Sequence, residues 1–238
     1  MTFTRNRNVR SSTYHLNGVS LQKVDTIRDL GVQLDRKLSF MNHFDSIVAK
    51  ASKMIGFVKR ACSEFRSVST LKLLYNTLVR SILEYASPVW NPSYRVHVNR
   101  IERVQKSFTR FLRFKCPGCP YGADYSVRLS YFSMTSLEQR RNSSDRIMLY
   151  KIINNLINVP DLLSEISICV PRQSLVRPKR KVNTFTTSSS KTKLGQNAPM
   201  NRLITSYNKL DSCCGIDIFA DTLVQFAKKS LTGSEEQL

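Results

Sequence analysis

Ile27-Arg28-Asp29-Leu30-Gly31-Val32-Gln33-Leu34-Asp35, running at once into Arg36-Lys37-Leu38-Ser39-Phe40, is the stretch that decides the fold. Leu30, Val32 and Leu34 alternate with Gly31 and Gln33, the period of a half-buried strand over 27–34. A glycine inside such an alternation marks a bulge or the close approach of another backbone. The alternation then stops, and apolar residues begin to recur at helical spacing near Asn42. The stretch is therefore a seam between a small sheet and a helical body, and the fold class it implies is α+β, mostly α.

Upstream of the seam, residues 2–5 and 14–21 read as short strands. Asn17-Gly18 lies between Tyr14-His15-Leu16 and Val19-Ser20-Leu21, a strong hairpin-turn signal. About three strands result, too few to stand without a cover. Downstream, Phe44, Ile47, Val48, Ala51, Met54, Ile55, Val58, Cys62 and Phe65 share one face of a helix over 42–65, with Lys50 and Lys53 off that stripe. A second helix is expected over 69–85, with Leu71, Leu74, Tyr75, Leu78, Ile82 and Tyr85 inward. Pro88 and Pro92 end it around Trp90.

A third helix is expected over 94–114, with Ile101, Val104, Phe108, Phe111 and Leu112 inward. Arg100, Arg103, Lys106, Arg110 and Arg113 fall within an arc of about 140° on another flank. Arg95 and Lys115 extend this run, and the one acid among residues 95–115 is Glu102. Thr135-Ser136-Leu137-Glu138 reads as a capping box opening a fourth helix to about Leu156, with Leu137, Met148, Leu149, Ile152, Ile153 and Leu156 inward. Residues 172–193 carry seven cations and no acid, either a flexible linker or an extended edge segment. Short helices close the chain over 201–210 and 219–231. Phe219, Leu223 and Phe226 face one way in the last of these, and Asp217 suits its N-terminal end. The expected organisation is a β remnant over 1–40, a helical bundle over 41–115, its continuation over 116–171, the basic segment over 172–200 and a loosely organised helical extension over 201–238.

The charge narrows the function. Thirty-seven Lys and Arg stand against 17 Asp and Glu, a net +20 in 238 residues, which favours polyanions and above all nucleic acid. The basic flank of the third helix is read as a phosphate track that positions a nucleic acid without reading its sequence; the bland alternative is a solvated face. Six cysteines, two of them adjacent at Cys213-Cys214, do not form a secreted disulfide framework. No apolar leader follows Met1, and no run of about 18 apolar residues could span a membrane. An intracellular chain, nuclear or cytoplasmic, is expected, with no membrane partner. Pro178-Lys179-Arg180-Lys181 has the composition of a nuclear-import patch.

These residues together resemble the C-terminal part of a reverse transcriptase from a non-long-terminal-repeat retrotransposon of the jockey-like kind. The resemblance runs through Asp29-Leu30-Gly31-Val32-Gln33-Leu34-Asp35, Leu38-Ser39-Phe40 and His43. It continues through Lys50-Ala51-Ser52-Lys53, Gly56-Phe57 and Leu71-Lys72-Leu73-Leu74-Tyr75. Its most distinctive stretch is Leu78-Val79-Arg80-Ser81-Ile82-Leu83-Glu84-Tyr85-Ala86-Ser87-Pro88-Val89-Trp90-Asn91-Pro92. Ile101 to Arg110, Leu137-Glu138-Gln139-Arg140-Arg141, Leu149-Tyr150-Lys151-Ile152, Ala198-Pro199-Met200-Asn201-Arg202 and Asp217-Ile218-Phe219 complete it.

The resemblance implies that residues 1 to about 37 are the end of a polymerase palm. Leu30, Gly31 and Val32 would form a primer-grip-like hairpin, and the helices over 42–115 a thumb. It implies a template–primer of RNA or DNA as partner, with Lys50, Lys53, Arg100, Arg103, Lys106, Arg110 and Arg113 as its contacts. The palm and fingers of the same element would be upstream of Met1, an internal methionine of a longer polypeptide. Two other readings stay open: a stand-alone helical scaffold domesticated from the same ancestry, and an intact enzyme seen only in part.

The intact family enzyme would use Mg²⁺, held by two or three converging carboxylates. This chain contains no Asp-Asp pair, and Asp25, Asp29 and Asp35 read as surface and turn carboxylates. No catalytic residue and no cofactor are therefore assigned to it. Cys116-x-x-Cys119 has zinc-ligand spacing but no second such pair, though His97 or Cys213-Cys214 could be recruited. No metal site is assigned.

Overall fold

The structure, a computed structural model, describes residues 1–5, 13–116, 118–169, 183–214 and 216–233. Its contacts divide the chain into two compact units, residues 1–83 and 84–238. Helices dominate both.

The first unit opens with two antiparallel hairpins. Strands β1 (His15–Leu16) and β2 (Val19–Ser20) are joined by Asn17-Gly18, both at positive φ, as the Asn-Gly signal requires. Strands β3 (Thr26–Asp29) and β4 (Val32–Asp35) pair with Asp29 opposite Val32. Leu30 and Gly31 are thus the two central residues of the turn, at φ 42 and 88. The expected single strand over 27–34 is two strands: the alternation is genuine, but Gly31 permits a reversal rather than a bulge. Residues 1–5 form no strand. The Thr4 amide donates to the carbonyl of Arg36 at 3.1 Å and Arg5 Nε to that of Lys37 at 3.0 Å.

Asp35 then turns the chain into helix. Its carboxylate accepts from the Ser39 hydroxyl at 3.0 Å and the Phe40 amide at 2.7 Å, which sets the entry to α1 (Met41–Ala61). Phe44, Ile47, Ala51, Ile55, Val58 and Cys62 are buried as their spacing predicts. Phe65 is exposed because the helix ends before it.

Helix α1 packs against α2 (Val68–Tyr75) and the π-helical turn Asn76–Arg80 that follows it, with α3 (Ser81–Glu84) next. The buried positions are Leu71, Tyr75, Val79 and Leu83, a constant step of four. Leu78 and Ile82, expected inward, are only half-buried. The π-turn widens the helix by one residue and shifts the inward face from 78 and 82 to 79 and 83. Thr77 bonds back to the carbonyls of Leu73 and Leu74 at 3.0 and 3.3 Å, the kind of side-chain competition that loosens a helical turn.

The second unit contains α4 (Ser87–Trp90), α5 (Arg95–Lys115), α6 (Tyr125–Tyr131), α7 (Leu137–Ile153), α8 (Pro160–Ser164), α9 (Lys193–Gln196), α10 (Pro199–Cys214) and α11 (Leu223–Thr232). Tyr85, expected inward, is exposed here. Leu149 and Tyr150 of α7 pack with Phe185, Leu203, Ile204, Tyr207, Leu210, Ile216, Ile218 and Phe226 in one core. The region expected to be a loosely organised extension is part of this core. Phe185, from the Ser/Thr-rich segment, is buried and bridges to Ile168 as extended backbone. Asn208 clamps it, accepting from its amide at 3.2 Å and donating to its carbonyl at 2.8 Å. Burial raises the Tyr207 hydroxyl to a pKa of about 12. That hydroxyl donates to the Ile216 carbonyl at 3.1 Å.

Several boundaries differ from the sequence expectation. The capping box of α7 is Ser136 with Gln139, one residue later than Thr135 with Glu138. Both registers satisfy the pattern, and the observed one buries Leu137. Helix α7 ends at Ile153, with Asn155 at positive φ, so Leu156 is exposed. Asp217 caps a turn at Phe219 and Ala220 rather than α11, whose own box is Thr222 with Gln225.

His43 links hairpin to helix in the first unit. It is buried on α1, and its Nδ1 accepts from the Gln33 amide of β4 at 3.3 Å, a bond only the ring unprotonated at Nδ1 can make. Burial lowers its pKa below 6.5, and Lys50 lowers it further. The unfolded chain therefore binds the proton more tightly, and stability is full above about pH 6.5 and declines as pH falls through the window below it. Replacing His43 by Gln should flatten the dependence of melting temperature on pH below about 6.5. An equal slope in both proteins would remove His43 from this role.

Candidate nucleic-acid interface

Helix α5 carries the strongest charge pattern in the second unit. Ile101, Val104, Phe108 and Leu112 are buried as the spacing predicts, Val98 is buried with them, and Phe111 is half-buried beneath Lys115. Glu102, Gln105 and Thr109 are buried too, which periodicity alone does not reveal.

Glu102 is the residue that matters most. Its Oε1 accepts from the Leu137 amide at 3.2 Å, in the first turn of α7, and from the Tyr125 hydroxyl of α6. An anion at a helix N-terminus meets both free amides and the positive end of the dipole. Gln105 donates to the Thr135 carbonyl at 2.8 Å and to the Tyr125 oxygen at 3.0 Å. The one acid among residues 95–115 is thereby taken off the surface. The charge that α5 shows to water is all positive: Arg103 and Arg110 are exposed, and Arg100, Lys106 and Arg113 are partly so.

A further cation, missed in the sequence, lies beneath them. Arg128 of α6 is buried, donating to the Ala123 carbonyl and to Thr109 Oγ1, both neutral. Burial lowers its pKa, and Arg110 and Arg113 lower it further. Three guanidiniums therefore repel one another at this end of α5, a field that a polyanion relieves. Lys106 and Arg128 also lie over the Tyr125 ring, at 5.1 and 5.8 Å.

Behind the face is a polar hub built from the motifs that carried the resemblance. Arg141 of α7 has no exposed surface, and its Nε donates to Asn91 Oδ1 at 3.2 Å. Burial lowers its pKa, opposed by the carboxylates of Glu102, Glu138, Glu84 and Asp145. Asn91 also donates to Asp145 Oδ2 at 2.8 Å, and Arg202 of α10 reaches the same oxygen at 2.9 Å and the Pro88 carbonyl. Arg140 pairs with Glu84, and Arg95 bonds both oxygens of Glu138 at 2.8 Å. Trp90 is buried, its indole donating to the Tyr85 carbonyl at 2.8 Å, so it pins a turn; Tyr94 is exposed.

The remaining sequence candidates fall elsewhere. Lys50 and Lys53 are exposed on α1, and Leu30, Gly31 and Val32 lie at the β3–β4 turn, all in the first unit. Leu30 is 84% exposed, Val32 buried. Asp35 is consumed by Ser39 and Phe40, and Asp29 lies in the ladder beside the turn, so these carboxylates do not suit a paired Mg²⁺ centre. Cys119 is buried, while the Cys116 sulfur lies 3.6 Å from the Tyr131 hydroxyl. Among the described residues no group of three or more His, Cys, Asp or Glu could hold a metal. No helix among them is long and apolar enough to cross a membrane. Pro178 to Lys181 lie outside the described residues.

Among curated proteins, the chain is similar to an uncharacterized protein of Caenorhabditis elegans, 25% identical over 136 residues, which is 57% of this chain and 67% of that protein. No protein-family model and no solved structure matches it.

Asp145 is wholly buried and holds Asn91 and Arg202 together. Asp145→Ala leaves the Arg202 charge without its partner and should cost about 3–5 kcal/mol of stability. Chemical denaturation measures this, and a loss below about 1 kcal/mol would show that the hub does not hold the unit together.

Proposed function

We propose that this chain binds nucleic acid through the cationic face of α5, as part of a reverse transcriptase of a non-long-terminal-repeat retrotransposon, jockey-like in kind. The observation that carries this reading is the burial of Glu102. It leaves five Lys and Arg residues along roughly 20 Å of helix with no acid among them. At about 3.4 Å per phosphate along one strand, that length matches about six phosphates. Cations so arranged position a duplex without reading its sequence.

In this reading the β3–β4 hairpin is primer-grip-like, with the exposed Leu30 at its tip and Lys50 and Lys53 as further contacts. The helices act as a thumb on template and primer. Among the described residues no group of three or more His, Cys, Asp or Glu could hold a metal, and in this reading polymerisation belongs to a palm and fingers supplied by the rest of the element. A second reading, a domesticated helical scaffold, draws support from the apolar core in which α7, α10 and α11 pack with Phe185, Ile216 and Ile218. It predicts binding to protein partners that survives neutralisation of the α5 face.

Replacing Arg100, Arg103, Lys106, Arg110 and Arg113 by Gln should weaken duplex binding. It should also reduce the slope of log affinity against log salt by up to about 4.5, at roughly 0.9 per lost phosphate contact. An unchanged slope rejects the phosphate track. In a primer-extension assay the purified chain should bind template–primer and add no nucleotide. Synthesis of cDNA by this chain alone would overturn the assignment of catalysis to other parts.

A further inference from the structure

Resting on the reading of α5 as a phosphate track, we infer that its C-terminal end is a stacking site for unpaired bases, built from Tyr121, Phe114 and Arg113. Tyr121 is 96% exposed and Phe114 76%. Isolated exposed aromatics are ordinary, but these two share a cation. The Arg113 guanidinium lies 5.2 Å from the centroid of each ring. Arg113 is also the last residue of the five-cation flank, so aromatic faces begin where that flank stops.

The turn that presents Tyr121 is fixed. The Ala123 amide donates to the Pro120 carbonyl at 3.3 Å, and Gly122 takes φ 76, the left-handed position of a tight turn that favours glycine. The buried Arg128 donates to the Ala123 carbonyl and anchors the far side. Tyr121 therefore stands at the tip of a braced loop, its ring in water.

Charge and ring chemistry together select one occupant. The repelling guanidiniums of Arg110, Arg113 and Arg128 call for an anion. Open aromatic faces beside them call for a flat π system. A single-stranded nucleic acid offers both in one molecule, phosphates at backbone spacing and bases free to stack. A blunt duplex offers only the phosphates, because its bases are already stacked. The flank thus serves either form, whereas the aromatic end serves the unpaired strand.

Fluorescence anisotropy with the full chain tests this, using a labelled oligothymidylate of about 12 nucleotides and a blunt duplex of similar length. The double variant Phe114→Ala, Tyr121→Ala should lose at least about 5-fold in affinity for the single strand, the low end of what one stacked base contributes. Its affinity for the duplex should stay within about 2-fold, while Tyr121→Phe, which keeps the ring, should bind the single strand like the parent. Single-strand affinity unchanged in the double variant, or lost equally for both probes, would overturn the stacking site. The five-Gln variant of α5 separates the two levels. If it weakens both probes while the aromatic variant changes neither, only the stacking site fails. If it leaves both probes unaffected, the phosphate track itself fails.

Discussion

A carboxylate removed from water sets the rest of the second unit. Glu102 is the one acid in a helix with seven cations, and it is buried where α5 meets the first turn of α7. Taking a carboxylate out of water is costly unless hydrogen bonds and nearby positive charge offset it. Here the Leu137 amide and the Tyr125 hydroxyl both bond Oε1, and the field of the buried Arg141 adds to them, while Oε2 is buried without a hydrogen-bond partner. The same bonds dock α6 and α7 onto α5. One residue therefore does two things: it fixes three helices, and it leaves the exposed side of α5 positive.

The hub behind that side is polar where a core is usually apolar. Asn91, Arg141, Asp145 and Arg202 come from the turn after α4, from α7 and from α10, and each holds another. Buried ionic networks add little stability beyond a well-packed apolar core, but their directional bonds penalise a misplaced helix severely. Arg146 continues the pattern, bonding Ser206 of α10 and both the hydroxyl and carbonyl of Ser230 of α11. Helix α7 thus positions its neighbours by hydrogen bonds, while its C-terminal half supplies Leu149 and Tyr150 to the apolar core.

This division explains what the sequence revealed. Helix α5 was legible because its apolar residues recur at helical spacing and its cations share a flank. Helix α7 was legible only at its ends, because Arg141, Ser143, Asp145 and Arg146 are buried without being apolar. A hydrophobic-period reading places such residues outside. The π-turn was illegible for a different reason: Thr77 competes for backbone carbonyls, and a one-residue widening breaks a fixed 3.6 period without altering composition. The Asn17-Gly18 turn was read correctly, whereas the alternation concealed Leu30-Gly31 from periodicity, and only the resemblance implied a hairpin there. Leucine seldom takes positive φ. Arg128 carried no motif, and only its burial beneath Arg110 and Arg113 connects it to the interface.

Lysine footprinting shows whether nucleic acid lies on the exposed side of α5. Acetylation of the full chain, read by mass spectrometry with and without an RNA–DNA hybrid at saturation, compares Lys106 with Lys229, which is paired to Asp221 on the opposite end of the unit's sequence. With nucleic acid on that face, the hybrid slows modification of Lys106 several-fold and leaves Lys229 unchanged. Lys106 modified at the same rate in both conditions, with the hybrid bound, would contradict it.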